Sequence, residues 1–179
     1  MQWILLVLVI SIVIGALRGG KLRNLTEIRV NAWWLLPIGF LLLAASSFVP
    51  DGYDDVAVGL VLASYAPLLL FVWLNRDLSG IWIAGLGILM NFSVILINGG
   101  MPVLEQAAVL AGETGELVLD AKHVLLTTET RLPFLADIIP LPGAVLSLGD
   151  VFLAIGVGVF LEDQTPKRVT VSAGVATYP

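Results

Sequence analysis

The sequence contains no cysteine, and its 179 residues include a single histidine, His123. The missing thiols exclude disulfides, thiolate zinc sites, cysteine-ligated iron–sulfur clusters and a cysteine nucleophile. One histidine excludes a multi-histidine metal or haem centre within the chain, and no metal or other cofactor is expected. Charge is scarce as well: Asp, Glu, Lys and Arg make up 13% of the residues, against about a quarter in soluble domains. The net charge is −5 and the nine basic residues form no dense run. Nucleic acid, which requires several phosphates to be neutralised, is therefore not an expected partner.

What the chain has in abundance is apolar sequence. Hydrophobic residues make up 58% of it, and the mean hydropathy is +0.98. The few charges leave long stretches empty, the pattern expected when the solvent is lipid. Five apolar runs of about 16 to 20 residues each approach the length that crosses roughly 30 Å of hydrocarbon. They cover residues 2–17, 32–49, 56–74, 79–97 and 143–161. The first has no basic residue before it and no small-x-small cleavage pattern after it, so it reads as a retained helix rather than a signal peptide. Trp33 and Trp34 open the second run at what would be the headgroup boundary. Pro67 interrupts the third, where a kink is tolerated if neighbouring helices satisfy the freed carbonyl.

The expected fold is an all-α membrane protein, a bundle of five transmembrane helices forming one domain over residues 1–163, followed by a flexible cytoplasmic tail, 164–179. Orientation follows from Lys and Arg. Arg18, Lys21, Arg23, Arg29, Arg76, Lys167 and Arg168 fall on one side, and only Lys122 and Arg131 on the other. The basic side is the cytoplasmic one, which places the N-terminus outside and the C-terminus inside. The cluster from Arg18 to Arg29 then serves as an anchor beside anionic lipid.

The connection 98–142 lies outside and is far longer than the others. Residues 103–111 read as a short helix with Glu105 and Gln106 on a wet face. Residues 117–127 are mostly apolar and carry Lys122 and His123. Residues 134–142 (FLADIIPLP) are apolar around one acid, Asp137. Apolar segments too short to span usually lie at the interface or re-enter the membrane against protein, and long structured loops are often functional. Asn98-Gly99-Gly100 ends the fourth span and turns the chain before Pro102, as such residues do without any ligand. No internal repeat or inverted symmetry is present.

Two stripes of small and polar residues carry most of the remaining information. On the fourth span Gly80, Ala84, Gly87, Asn91 and Asn98 fall within about 60° of helical arc, and on the fifth Gly143, Ser147, Asp150, Ala154 and Gly158 fall within about 80°. Small residues let helices approach, and polar ones among them hydrogen-bond across the gap. Both faces are expected to point into the bundle. Asn91 and Asp150 each lie roughly 10 Å below the outer boundary at 1.5 Å per residue, with Ser64, Tyr65 and Ser11 at a similar depth. An acid at that depth costs about 2.5–3.5 kcal/mol and is normally neutral or paired. A structural alternative stands beside this one: if the fifth helix begins later, Ser147-Leu148-Gly149-Asp150 is a helix start and Asp150 a cap. The candidate polar site comprises Asn91, Asn98, Lys122, His123, Asp137 and Asp150, with His and Asp able to exchange protons near neutral pH.

The ordered set Asn98-Gly99-Gly100-Met101-Pro102, Lys122-His123, Leu135-Ala136-Asp137-Ile138-Ile139-Pro140-Leu141-Pro142 and Ser147-Leu148-Gly149-Asp150-Val151 resembles a bacterial integral-membrane family known only as a domain of unknown function. The resemblance implies a multi-pass protein of the bacterial cytoplasmic membrane and carries no activity, cofactor or catalytic assignment with it. Two readings follow. In the favoured one the chain is a small scaffold or accessory subunit of a membrane complex, with the lipid bilayer, other membrane-protein subunits or a second copy as partners. In the alternative it is a small transporter or membrane enzyme with an outward-facing polar pocket around Asn91, Asp137 and Asp150. The residues leave open whether it is an enzyme.

Overall fold

The computed structural model describes residues 30–50, 52–112 and 122–163. The span expected at residues 2–17, the basic connection after it and the tail 164–179 lie outside them. Among the described residues the chain is mostly helical, with five helices. α1 is Leu35–Ser46, α2 is Asp54–Leu74, α3 is Ile81–Asn98, α4 is Glu105–Ala111 and α5 is Leu148–Asp163. The second, third, fourth and fifth spans correspond to α1, α2, α3 and α5.

Local chemistry explains most boundaries. Pro37 sits in the first turn of α1, where its missing N–H has no intrahelical partner to lose. Asp54 and Asp55 open α2, where negative charge suits the helix dipole. Pro67 lies inside α2 without ending it. α3 stops at Gly99, whose φ of +71° is the left-handed conformation glycine adopts at no steric cost. Its N–H donates to the Ile95 carbonyl at 2.9 Å.

α2 and α3 are long and apolar enough to cross a membrane. Only 33% and 39% of their apolar stretches are buried. Leu70, Trp73, Trp82, Leu86, Leu89 and Leu96 stand exposed along them.

The helices pack as antiparallel neighbours. The α3–α5 and α1–α2 contacts are the most extensive, with α2–α3 next. One apolar core, of Leu35, Phe71, Val72 and Ile81, lies where α1 begins and α2 ends. The other, of Val61, Val94, Ile95, Met101 and Leu135, lies at the opposite end, under the long loop. At the first end Asn75, 2% exposed, ties residue 31 to α2. Its Nδ2 donates to the Asn31 carbonyl at 2.9 Å and to the Phe71 carbonyl at 2.8 Å, and its Oδ1 accepts from the Asn31 N–H at 2.7 Å. Asn75→Ala strands these buried groups and is expected to cost about 1–3 kcal/mol, read as a lower Tm of the detergent-solubilised protein.

The short helix expected at residues 103–111 of the long loop is present, and the rest of the described loop is not α-helical. The loop contains one short helix, α4, and four three-residue strands: β1 (Met101–Val103), β2 (His123–Leu125), β3 (Ile139–Leu141) and β4 (Ala144–Leu146). β1 and β2 pair in parallel, Met101 opposite His123, and β3 and β4 form an antiparallel hairpin. His123 is therefore the first residue of a strand. Residues 133–135 form a single 3-10 turn. Asp137 bridges to Val103 beside β1, its N–H donating to the Pro102 carbonyl at 2.8 Å. β-branched and proline-interrupted triplets suit such short pairings better than a helix.

Helix α5 starts at Leu148, five residues after the expected Gly143. Gly143 lies in the β3–β4 turn with φ +80°, and no atom outside its own neighbourhood lies within 4 Å of where a Cβ would stand. Its N–H donates to the Ala111 carbonyl at the end of α4 at 2.7 Å, so it meets the loop helix and not α3.

Candidate functional site

The α3 stripe lies against α5 as a close seam. A Cβ on Gly80 would stand 2.6 Å from the Phe160 amide nitrogen, one on Gly87 2.6 Å from that of Leu153, and one on Gly156 2.7 Å from Ala84 Cα. These are backbone atoms, so the absence of a side chain is what lets the two helices meet. The α5 face at this seam is Gly149, Leu153, Gly156 and Phe160, about 140° around the helix from the expected stripe. Ala154 and Gly158 lie off the seam, because the contact falls on the face that carries Leu153 and Phe160 and not on the small-residue face.

Ser147 and Asp150 reach α3 by another route. Ser147 caps α5: its Oγ accepts from the Asp150 N–H at 3.0 Å, while Asp150 Oδ2 accepts from the Ser147 N–H at 3.0 Å. This reciprocal pair is a capping box with aspartate in the third position. Both side chains also bond Asn91, whose Nδ2 donates to Asp150 Oδ1 at 2.8 Å and whose Oδ1 accepts from the Ser147 hydroxyl at 2.9 Å. Asn91 and the start of α5 are therefore level. That level is seven residues, roughly 10 Å, below the α3 end at Asn98, so the chain returning from the loop reaches α5 two turns down.

Above the Asn91–Asp150 pair lies a cavity of about 180 Å³. Asn91, Lys122, His123, Asp137 and Asp150 line it, together with Tyr65 and the apolar Leu43, Val61, Ile95 and Met101. Five of the six candidate polar residues thus come together from α3, α5 and the loop. Asn98 does not join them. Its Nδ2 donates to the Arg131 carbonyl and its Oδ1 accepts from the Arg131 N–H, both at 2.9 Å. That clamp holds the loop beside Leu132, whose φ of +54° is unfavourable for a branched residue.

Lys122 donates through Nζ to Ser47 Oγ, linking the cavity mouth to the end of α1. Asp137 is the anomaly. It is 7% exposed, and its Oδ1 is buried without a hydrogen-bond partner among the described residues. Orphaned buried oxygens are rare and mark strain, chemistry or a missing partner. Burial, with the neighbouring Asp150 adding to it, pushes the Asp137 carboxyl up to about 8, so the group is largely protonated at neutral pH. Among the described residues no three His, Cys, Asp or Glu side chains stand close enough to hold a metal.

The sequence pattern pointed to Asn91, Asp137 and Asp150 through depth and apolar context, and to Tyr65 through its level on the helix. It carried no signal for Leu43 or Met101, which reach the cavity only because α1 and β1 fold beside it.

A family model described as "Family of unknown function (DUF5317)" matches residues 27–162. A protein of Thermotoga maritima named only as an uncharacterized protein is 32% identical over 147 residues, covering 79% of this chain and 80% of its own length. No solved structure matches.

Proposed function

Because the chain belongs to this family of unknown function, DUF5317, we propose its role from its own residues: a multi-pass protein of the bacterial cytoplasmic membrane that binds a small polar solute in an outward-facing pocket. The membrane reading has five spans, with the N-terminus outside and the C-terminus inside. Its support is the apolar exposed surface of α2 and α3, and a girdle of tryptophan at one end. Trp33, Trp34, Trp73 and Trp82 are all more than half exposed, and all lie where α1 begins, α2 ends and α3 begins. Arg76 sits over the Trp73 ring, 4.8 Å from its centroid. Aromatic and basic side chains gather in this way at a cytoplasmic headgroup layer. The loop lies at the other end, and its non-helical backbone below the α3 terminus is of the kind tolerated at membrane depth where it lines protein or a cavity.

The pocket reading rests on one observation, the cavity that gathers Asn91, Lys122, His123, Asp137 and Asp150. Its size limits the solute. About 180 Å³ corresponds to about six waters at liquid density, well below the roughly 300–1,000 Å³ of pockets for drug-sized ligands. Below it the α3–α5 seam closes, which favours access from the outer side alone. The small size of the bundle leaves little room for a permeation path and favours the scaffold reading. Against it, the α3 stripe is packed on α5 within this chain and is not free to hold another.

The absence of native cysteine makes the pocket reading directly testable. Leu43→Cys places one thiol on the cavity wall, outside the polar cluster. In sealed vesicles of known orientation, a small charged methanethiosulfonate is expected to modify it from the outer side, with Leu89→Cys on the lipid-facing surface inert. Modification from the cytoplasmic side alone, or none where Glu129→Cys in the same loop reacts, would overturn the pocket reading.

A further inference from the structure

We propose that the pocket takes a short primary alkylammonium ion, its ammonium group donating to the Asp137 and Asp150 carboxylates, and that the ion enters in exchange for the Asp137 proton. The inference rests on the outward-facing pocket described above and names its ligand. Asp137 lines the cavity at 7% exposure, and with Oδ1 unpartnered among the described residues its carboxyl lacks what an ammonium group supplies, a donor. Asp150 stands on the same cavity. Each of its oxygens already accepts one bond, from Asn91 or from the Ser147 amide, and an ionised carboxylate retains further acceptor sites. Tyr65 adds an aromatic ring to the lining, a surface that attracts ammonium. Leu43, Val61 and Ile95 form an apolar wall suited to a chain of a few carbons.

The alternatives fit less well. A metal ion of the calcium or magnesium class takes about six or more oxygen ligands at 2.0–2.6 Å, and this cavity is too wide and too apolar on one side. An anion would meet two carboxyl groups at its floor. The titratable groups facing Asp137 are Tyr65 from α2, Asp150 from α5, and Lys122 and His123 beside β1; α3 contributes the uncharged Asn91 and α1 the apolar Leu43.

The exchange balances without a co-reactant. The ion enters with its positive charge, the Asp137 O–H bond breaks, the electron pair stays on the carboxylate, and the proton passes to bulk water. Below the Asp137 pKa of about 8 each ion must displace a proton. Affinity should therefore rise about tenfold per pH unit through that range and level off above it.

The test is calorimetric titration of the full chain in lipid nanodiscs with propylammonium, at pH 6, 7 and 8.5 and in two buffers of different ionisation enthalpy. Sodium, propionate and propanol serve as further probes. The expected result is saturable propylammonium binding that tightens with pH and releases close to one proton per ion at pH 6 and 7. Asp137→Asn should weaken binding at least tenfold at pH 8.5 and abolish the pH slope and the proton release. Asp137→Glu should retain both. Binding that ignores pH and Asp137→Asn, or tighter binding of sodium, would overturn the inference. If propionate or propanol binds instead and modified Leu43→Cys blocks it, the ammonium assignment falls and the pocket reading stands. If no probe binds, the ammonium assignment falls; outer-side reactivity of Leu43→Cys then decides separately whether the pocket reading falls with it.

Discussion

Gly156→Ala is expected to open the α3–α5 seam and to cost far more stability than the same change at a glycine outside it. The new Cβ would stand 2.7 Å from both Ala84 Cα and Ala84 Cβ, and closer still to the Ala84 amide nitrogen. No rotamer relieves a clash between a Cβ and backbone, so the helices must separate. Overpacking usually costs about 1–3 kcal/mol, and a rigid neighbour places this site at the upper end. The damage should reach the pocket, since Asn91 and the Asp150 cap stand at the top of the same seam. Gly59→Ala in α2 is the internal control. It meets nothing within 4 Å, and alanine in a helix gains about 0.5–1 kcal/mol over glycine. Thermal unfolding in detergent should show a large drop in Tm for the first and none for the second. Equal Tm values would mean that the helices do not meet at glycine.

Asp137→Asn is expected to have the opposite sign, stabilising the protein increasingly as the pH rises. The Asp137 carboxyl is raised from 3.8 to about 8 in the folded chain. A raised acid pKa means that the folded state holds a proton which the unfolded state has released. Folding therefore weakens as the pH climbs from about 4 to about 8, by up to about 1.4 kcal/mol per unit, and is unaffected by this group above that range. Over the interval the penalty reaches several kcal/mol. Asparagine keeps the shape and carries no charge, so it escapes the penalty. The Tm difference between variant and parent should be near zero at pH 4, grow with pH and flatten above pH 8. A constant difference would mean that Asp137 is not buried in its uncharged form.

The site was more legible in the sequence than the elements that build it. The 4-3-4 spacing of Gly80, Ala84, Gly87 and Asn91 marked the α3 face that meets α5, because small side chains are informative where helices touch. The partner face, Gly149, Leu153, Gly156 and Phe160, was hidden by its two large residues, which flank the contact without filling it. Hydropathy placed the start of α5 at Gly143 because β3 and β4 are as apolar as the helix after them. The S-x-x-D at Ser147 was the better signal, since a cap depends on hydrogen bonding rather than on hydrophobicity. The parallel β1–β2 pairing joins residues 22 apart through three-residue strands, too short for any period to be read. Asp137 stood out as one acid in an apolar run. Its lack of a partner became visible only when β1, α2 and α5 closed around it.

Solute binding in the pocket requires Asp137 to be buried, protonated and within reach from the outer side. Infrared difference spectroscopy of the membrane-reconstituted protein, titrated from pH 4 to pH 10 against Asp137→Asn, measures that state directly. The expected spectrum has a protonated-carboxyl band, absent from the variant, that is lost with a midpoint near pH 8 and shifts to the ionised form when propylammonium is added at pH 7. A carboxyl already ionised at pH 5, with no band distinguishing parent from variant, would contradict it.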